Sequence, residues 1–231
     1  MKYQNVVGAD FVERLNRFVA TVKINGESET VHVKNTGRCK ELLIPGCRVY
    51  LEKSANQTRK TAFDLIAVEK ERVGKPPLLI NMDSQVPNAA AEEWLEKGNL
   101  FSKNAEIKRE VKFGNSRFDF YIEDGGKKAF LEVKGVTLER DGVARFPDAP
   151  TERGIKHINE LVSAKEQGFE CYILFVVQMK EIHLFEPNYE THRKFGEALV
   201  RAQKSGVNIL AADCAVTPDS ITIENSVEIK L

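Results

Sequence analysis

Two stretches of alternating residues around a Gly-Gly pair place the tightest constraint on how this chain can fold. Residues 117–123 and 128–134 each alternate between apolar and polar side chains, which is typical of strands with one buried face. Gly125-Gly126 between them suits a tight two-residue turn, because such turns favour a positive φ. With this turn, every opposed pair on one face is apolar. A slip of one residue would mix the two faces, so the sequence predicts a hairpin in this register.

The polar face of the hairpin brings acidic and basic side chains together. Asp119 is predicted directly opposite Glu132, where two like charges repel each other. Mg²⁺ binds one or two carboxylates together with water and phosphate oxygens. Lys134 follows Glu132 by two residues and therefore points to the same face, where it can hold a water molecule or stabilise charge on a phosphate. The pattern predicts a Mg²⁺ (or Mn²⁺) site for phosphodiester hydrolysis, with Asp119 and Glu132 as metal ligands, helped by the Val133 carbonyl.

A solvated face is the alternative interpretation of the same residues. Charged side chains that alternate along a hairpin usually point into water, and Glu-x-Lys is a very common short pattern. Glu123 opposite Lys128 is best interpreted as such a surface pair, which contributes little to stability. The spacing alone leaves both interpretations open for Asp119 and Glu132.

The charge balance restricts how the chain could contact nucleic acid. It has 231 residues, and 34 Lys+Arg balance 34 Asp+Glu. A protein that binds nucleic acid mainly through bulk charge would usually be basic, so any phosphate contact must come from a local patch. Residues 103–117 form one such patch, with five basic side chains against two acidic ones. Arg117 lies in it, is predicted opposite Lys134, and is a candidate nucleic-acid contact.

Several other classes of protein are disfavoured by the sequence. The chain has no apolar run long enough for a transmembrane helix and no apolar signal segment near its start, so we expect a cytoplasmic protein without membrane partners. Its four cysteines are scattered, which favours reduced thiols over disulfides and disfavours a zinc site. It lacks the glycine patterns of nucleotide-binding loops, and we expect no small-molecule cofactor.

Two domains are predicted from the distribution of strand and helix patterns. Residues 1–85 have the pattern of short strands, and this spacing suggests a small barrel. One strand pattern runs from 11 to 24, and Asn25-Gly26 is predicted as a hairpin turn. In residues 86–231 strands alternate with helices, which predicts a mixed α/β sheet. One helix is expected to begin at a cap formed by Asn88 and another at Thr151.

Longer segments of the sequence resemble a known family. These segments lie at residues 35–38, 45–46, 114–120, 131–138, 146–154, 174–178 and 206–214. They resemble the sugar fermentation stimulation protein A family, and Asp119 with Glu132-Val133-Lys134 resembles the PD-(D/E)xK nuclease-like superfamily. The resemblance covers almost the whole chain. It implies an OB-fold-like barrel in residues 1–85, a PD-(D/E)xK nuclease-like mixed sheet with flanking helices in residues 86–231, and DNA as a partner.

The resemblance also implies roles for residues outside the hairpin. It favours Glu93 as a further acidic catalytic residue, although Glu92 and Glu96 on the same predicted helix are open alternatives. It makes Arg153 and His157, which share one helix face, candidate phosphate contacts, and the alternative is an ordinary polar face.

The first domain contributes a polar loop to the same expectation. In this loop Asn35, Arg38 and Lys40 are candidate nucleic-acid contacts on an OB-like barrel. The alternative is a turn in which Asn35 and Thr36 bond their own backbone.

Two functions are therefore compatible with the sequence. The first is a DNA-binding protein with a metal-dependent nuclease site. The second is a non-catalytic DNA-binding regulator of sugar (maltose) metabolism genes, since the resemblance implies an association with maltose utilisation. A homo-oligomer is left open.

Overall fold

A computed structural model describes residues 1–35, 37–56 and 58–231 of the chain. They divide into two compact units. The first comprises residues 1–86, 178–180 and 214–222, and the second comprises 87–177, 181–213 and 223–231. The predicted single boundary at residue 85 assigns two short segments, 178–180 and 214–222, to the second domain. In the structure these segments belong to the first unit.

The first unit contains six strands, five of which form a small closed barrel. The strands are β1 (Val6–Arg14), β2 (Val19–Ile24), β3 (Glu27–Val33), β4 (Arg48–Lys53), β5 (Phe63–Arg72) and β6 (Lys75–Asn81). They hydrogen-bond in the order β3-β2-β1-β4-β5-β6, and an additional parallel pairing of β3 with β5 closes five of them into a barrel. The predicted OB-like barrel is confirmed.

The first hairpins of the barrel show one correct and one wrong prediction. Asn25-Gly26 forms the turn between β2 and β3, and both residues have the positive φ that this turn needs (+52° and +88°). The single strand pattern expected from 11 to 24 is instead broken between β1 and β2. The backbone N–H groups of Leu15 and Asn16 both donate to the Val19 carbonyl, and the Asn16 side chain accepts from the Phe18 N–H. A turn closed by these contacts carries no Gly or Pro to mark it.

An ion cluster on the barrel ties a loop to β5. Arg59 donates through both terminal nitrogens to the two carboxylate oxygens of Asp64, at 2.8 and 2.7 Å, and His32 Nδ1 lies 2.7 Å from Asp64 Oδ1. Asp64 is buried. Burial by itself raises the pKa of this carboxyl, but the hydrogen bonds from Arg59 and His32 outweigh that effect and lower the pKa.

We expect Asp64→Asn to destabilise the protein at neutral pH and to have less effect in acid. A carboxyl whose folded pKa is lowered contributes stability above its unfolded pKa, and the contribution is lost as the pH falls through the folded pKa. Chemical denaturation followed by circular dichroism should show a loss of about 1–3 kcal/mol at pH 7 and a smaller one below about pH 3. Asp10→Asn, at an exposed ion pair with Arg48, is the control and should change little. A loss for Asp64→Asn that is equal at both pH values would contradict this account.

The remaining elements of the described chain are strands and three helices. They are α1 (Val86–Glu96), β7 (Glu106–Phe113), β8 (Ser116–Asp124), β9 (Lys127–Val136), β10 (Leu138–Arg140), β11 (Val143–Phe146), α2 (Glu152–Glu166), β12 (Glu170–Val177), β13 (Leu184–Pro187), α3 (Tyr189–Lys204), β14 (Asn208–Thr217), β15 (Ser220–Ser226) and β16 (Glu228–Ile229). Most of their residues lie in the second unit, whereas Val86 and parts of β14 and β15 belong to the first. A six-stranded sheet has the order β15-β14-β12-β9-β8-β7, and a four-stranded sheet has the order β10-β11-β13-β16. In the larger sheet β12 is parallel to β9 and β14, whereas β7, β8 and β9 are antiparallel. The predicted mixed α/β sheet is confirmed.

The β8–β9 hairpin has the register that the sequence predicts. The recorded pairs run from Phe120 opposite Leu131 to Asp124 opposite Lys127. Phe118, Phe120 and Leu131 are fully buried. The register agrees with the prediction over these pairs, whereas the predicted pair of Asp119 and Glu132 lies beyond them.

Three local features bear on the predicted helices and strands. Thr151 caps α2, since its side chain accepts from the Gly154 N–H at 3.0 Å, as predicted. Asn88 was expected to cap α1, but the helix begins at Val86 and Asn88 lies inside it. Strands β10 and β11 were not predicted, because each is only a few residues long.

Membrane-spanning helices and disulfides are both absent from residues 1–35, 37–56 and 58–231. None of the helices in these residues is both long and apolar enough to cross a membrane. No disulfide joins any of the four cysteines.

Candidate functional site

Asp119 on β8 is held by two hydrogen bonds from opposite sides. Its Oδ2 accepts from the backbone N–H of Val133 on β9 at 2.7 Å, and its Oδ1 accepts from the side-chain nitrogen of Asn88 on α1 at 2.8 Å. These contacts hold the carboxylate beside β9 at the end of the recorded β8–β9 ladder. A carboxylate oxygen has more than one acceptor position, so each oxygen of Asp119 can still bind a further partner.

Glu132 on β9 is the most deeply buried acidic group of the site. The residue is only 3% exposed. Its Oε1 contacts both the Lys134 ammonium group and Nδ1 of His157 on α2. Its Oε2 is buried and has no hydrogen-bond partner among the described residues. The solvated-face interpretation therefore does not hold for Glu132, because α2 covers this part of the hairpin.

The two carboxylates have opposite pKa shifts. Burial and the negative charge of Glu132 raise the pKa of Asp119. Burial also acts to raise the pKa of Glu132, but the hydrogen bond from His157 and the charge of Lys134 outweigh it and lower the pKa. The repulsion expected from the sequence is thus present, and the two carboxylates against one ammonium leave an excess of negative charge.

This donor set fits one small divalent cation. A buried carboxylate oxygen without a partner is costly, and a cation beside Oε2 of Glu132 would satisfy it. Mg²⁺ and Mn²⁺ favour such oxygen ligands, and Mg²⁺ usually completes its shell with water and phosphate oxygens. Among the described residues, no group of three or more His, Cys, Asp or Glu side chains is arranged to hold a metal ion. Asp119 and Glu132 as metal ligands, with contributions from Glu93 and the Val133 carbonyl, stay predictions.

His157, a candidate phosphate contact, lies against Glu132, and its contact with a phosphate stays a prediction. It is only 7% exposed, and its ring contacts the Glu132 carboxylate. Its Nε2 faces Nε of Arg153, one helical turn earlier, at 3.4 Å. Arg153 itself is exposed. The predicted shared face of these two residues is confirmed, and it places Arg153 at the surface next to the buried carboxylate site.

The other acidic and basic residues near the hairpin form surface ion pairs. Arg117 is exposed and lies 3.6 Å from Glu110, which offsets the like-charge contact expected with Lys134. Glu92 on α1 pairs with Arg109 at 2.9 Å. Glu93 is half-buried on the same helix. The phosphate-contacting role of Arg117 stays a prediction.

The polar loop of the barrel has a structural role for Asn35. Its side-chain oxygen accepts from the Gly37 N–H at 2.7 Å, and its side-chain nitrogen donates to the Met82 carbonyl at 2.8 Å. The turn interpretation therefore applies to Asn35, while Thr36 lies outside the described residues. A nucleic-acid contact from Asn35 stays a prediction.

Arg38 and Lys40 line a basic cavity on the barrel. Both are exposed, and the cavity of about 350 Å³ is also lined by Arg14 and Arg17. Arg14 ties the loop down, because its guanidinium donates to the backbone carbonyls of residues 17, 35, 37 and 38. Arg17 adds a basic side chain to the same surface. We call Arg17, Arg38 and Lys40 the barrel basic surface.

Three contributors to these sites were not predicted from the sequence. Asn88 was interpreted as a helix cap, and its contact with Asp119 joins residues 31 positions apart, which no local pattern indicates. Arg14 and Arg17 were not predicted as site residues. The sequence pattern indicated one continuous strand where the structure has the turn that brings them to the loop carrying Arg38 and Lys40.

Fold and site together define a class: a protein that joins an OB-like barrel to a mixed α/β sheet carrying a buried glutamate, a half-buried aspartate and a lysine. Comparisons with known proteins identify the family. The sugar fermentation stimulation protein RE domain matches residues 85–220, and the SfsA N-terminal OB domain matches residues 12–75. The chain belongs to the sugar fermentation stimulation protein family.

Similar proteins support this assignment over the full length. Sugar fermentation stimulation protein homologs from Desulfitobacterium hafniense and Clostridium beijerinckii are 56% and 53% identical, and each match covers 100% of this chain and 99% and 100% of the relative. The solved structure of Pyrococcus furiosus SfsA in complex with Ca²⁺ is 30% identical, with a TM-score of 0.88. That match covers 100% of this chain and 98% of the other.

Proposed function

We propose that this protein binds DNA and hydrolyses phosphodiester bonds with a divalent cation held by Asp119 and Glu132. The observation that carries the proposal is the buried Oε2 of Glu132, which has no partner among the described residues and belongs to a carboxylate beside Asp119 and Lys134. The solved structure of a family member in complex with Ca²⁺ adds support, since Ca²⁺ also prefers oxygen ligands. A cytoplasmic location stays a prediction from the sequence.

Each residue of the site has a role that its contacts support. A bound Mg²⁺ or Mn²⁺ would stabilise negative charge on a phosphate and lower the pKa of a bound water. Lys134, whose ammonium contacts Glu132, lies where it can orient a water molecule or stabilise charge on a phosphate oxygen. Arg153 is exposed beside His157 and provides a bidentate donor for a neighbouring phosphate of the substrate.

The experiment that tests this function measures cleavage and binding together. Single-stranded and duplex DNA and RNA are incubated with the protein in Mg²⁺, in Mn²⁺ and in a chelator, and binding to the same molecules is measured in parallel. We expect metal-dependent cleavage of at least one DNA form. Binding to DNA without cleavage of any substrate would contradict the nuclease proposal and leave DNA binding standing.

A second candidate is a non-catalytic DNA-binding regulator of sugar metabolism genes. The observation that favours it is that no third His, Cys, Asp or Glu of the described chain completes a metal-holding group with Asp119 and Glu132. In this case Lys134 and His157 would neutralise a buried carboxylate as part of the scaffold. The cleavage experiment separates the two candidates.

Replacing basic side chains of the barrel basic surface by alanine should weaken DNA binding and make the binding constant less dependent on the salt concentration. Each phosphate contact of a bound protein contributes about 0.9 to the slope of log K against log salt for duplex DNA, and about 0.7 for single strands. We expect the Arg38→Ala, Lys40→Ala double variant to bind more weakly and to lose about one to two units of this slope. Fluorescence anisotropy titrations at several salt concentrations measure both quantities.

The control for this prediction removes one exposed charge elsewhere in the barrel unit. Lys75→Ala on β6 does not line the basic cavity. It should leave affinity and slope close to those of the wild type. An unchanged slope in the double variant would exclude the barrel basic surface from phosphate contact.

A further inference from the structure

The contacts of His157 define which of its ring nitrogens carries a proton. Arg153 has only donor groups, so Nε2 of His157 must accept the hydrogen bond from Arg153 Nε. An ionised Glu132 has only acceptor groups, so Nδ1 must donate to its Oε1. A neutral imidazole with the proton on Nδ1 satisfies both contacts at once.

The same contacts determine how the Glu132 carboxylate is turned. Oε1 receives both the His157 N–H and the Lys134 ammonium group, whereas Oε2 has no partner in the described part of the chain. Burial of the carboxylate and of the ring restricts rotation that would exchange the two oxygens. The arrangement therefore reserves Oε2 for a ligand that is not a protein donor.

We propose that His157, whose Nδ1–H donates to Oε1, is a positioning residue that orients the Glu132 carboxylate so that Oε2 is available to a divalent cation. This role rests on the proposed metal site. Donors of this kind, which bind a ligand rather than the metal, typically change metal affinity by about 10–100-fold.

The first test determines the tautomer directly and does not need a metal. Long-range ¹⁵N–¹H NMR spectra of the full-length protein distinguish Nδ1–H, Nε2–H and doubly protonated rings, and His157→Gln identifies the signals. We expect a proton on Nδ1 and a changed Nδ1 signal in Glu132→Gln. A ring that carries its proton on Nε2 alone would overturn the proposal.

The second test measures metal affinity with Mn²⁺ alone. We expect His157→Ala to weaken Mn²⁺ binding by about 10–100-fold. His157→Asn should restore most of the affinity, because its side-chain nitrogen lies close to the position of Nδ1, whereas Asn159→Ala, at an exposed position of α2, should bind as the wild type does. Thermal unfolding confirms that each variant is folded.

The outcomes separate the two proposals. Equal Mn²⁺ affinities for wild type and His157→Ala would overturn the role of His157 and leave the metal site intact. Weak binding by both His157→Ala and His157→Asn, with both folded, would overturn the positioning role of the N–H group. A wild-type protein that binds no Mn²⁺ would overturn the metal site and this role with it.

Discussion

Glu132→Gln is expected to lower the metal-dependent cleavage rate by about a thousandfold or more, while the protein stays folded. The substitution keeps the shape of the side chain and an acceptor for His157 and Lys134, but it removes the charge that holds the cation. Single-turnover cleavage of a DNA form that the wild type cuts measures the effect. Thermal stability should fall somewhat, because the contacts with His157 and Lys134 outweigh burial and lower the pKa of Glu132, so that its ionised carboxylate stabilises the fold at neutral pH.

A matched control lies on the same hairpin. Glu123 faces Lys128 near the turn, and its side chain hydrogen-bonds Tyr121. Glu123→Gln removes the same charge at the surface and should cleave at a rate close to that of the wild type. A Glu132→Gln protein that cleaves as fast as the wild type would show that the carboxylate of Glu132 takes no part in the reaction.

Phe120→Ala is expected to lower the free energy of unfolding by about 3–5 kcal/mol. Phe120 is fully buried and lies opposite Leu131 in the hairpin that carries the site. Its truncation would remove apolar contacts and leave a cavity beneath β8. Denaturant unfolding followed by the fluorescence of Trp94, the single tryptophan, measures the effect because Trp94 lies on α1 in the same unit.

Two further variants bracket this effect. Phe120→Leu keeps much of the buried volume and should cost less than about 1.5 kcal/mol. Phe18→Ala is the second variant, and its ring is 50% exposed. The free energy of unfolding that circular dichroism gives for this variant should fall by much less than that of Phe120→Ala. Losses of similar size at Phe18 and Phe120 would contradict the assigned burial of the hairpin face.

The hairpin and its register could be predicted because strand periodicity is a local property. Alternation with a period of two residues and a Gly-Gly turn are written in residues 117–134 themselves. They suffice to place Asp119 and Glu132 next to each other. The same holds for Thr151, whose capping contact lies within three residues of it.

The environment of the carboxylates could not be predicted in this way because it comes from distant residues. Glu132 is buried by α2, and its contact with His157 joins residues 25 positions apart. Asn88 reaches Asp119 from 31 positions away. Periodicity along one strand cannot show which helix covers it, so the pattern left both the solvated-face and the metal-site interpretations open.

The barrel turn at residues 15–18 was missed for a related reason. It is closed by backbone contacts to Val19 and by the side chain of Asn16, and no glycine or proline marks it. The turn brings Arg17 to the loop that carries Arg38 and Lys40. The net charge of zero therefore conceals a local basic surface and an acidic site that a bound cation would make more positive.

An anomalous difference map from crystals grown in saturating Mn²⁺ tests the central claim most directly. The account predicts a peak within coordination distance, about 2.1–2.3 Å, of one oxygen of Asp119 and of Oε2 of Glu132. The peak should be absent in Glu132→Gln crystals grown in the same way. A well-ordered site with no peak between these carboxylates, or with Mn²⁺ bound elsewhere in the second unit, would contradict the account.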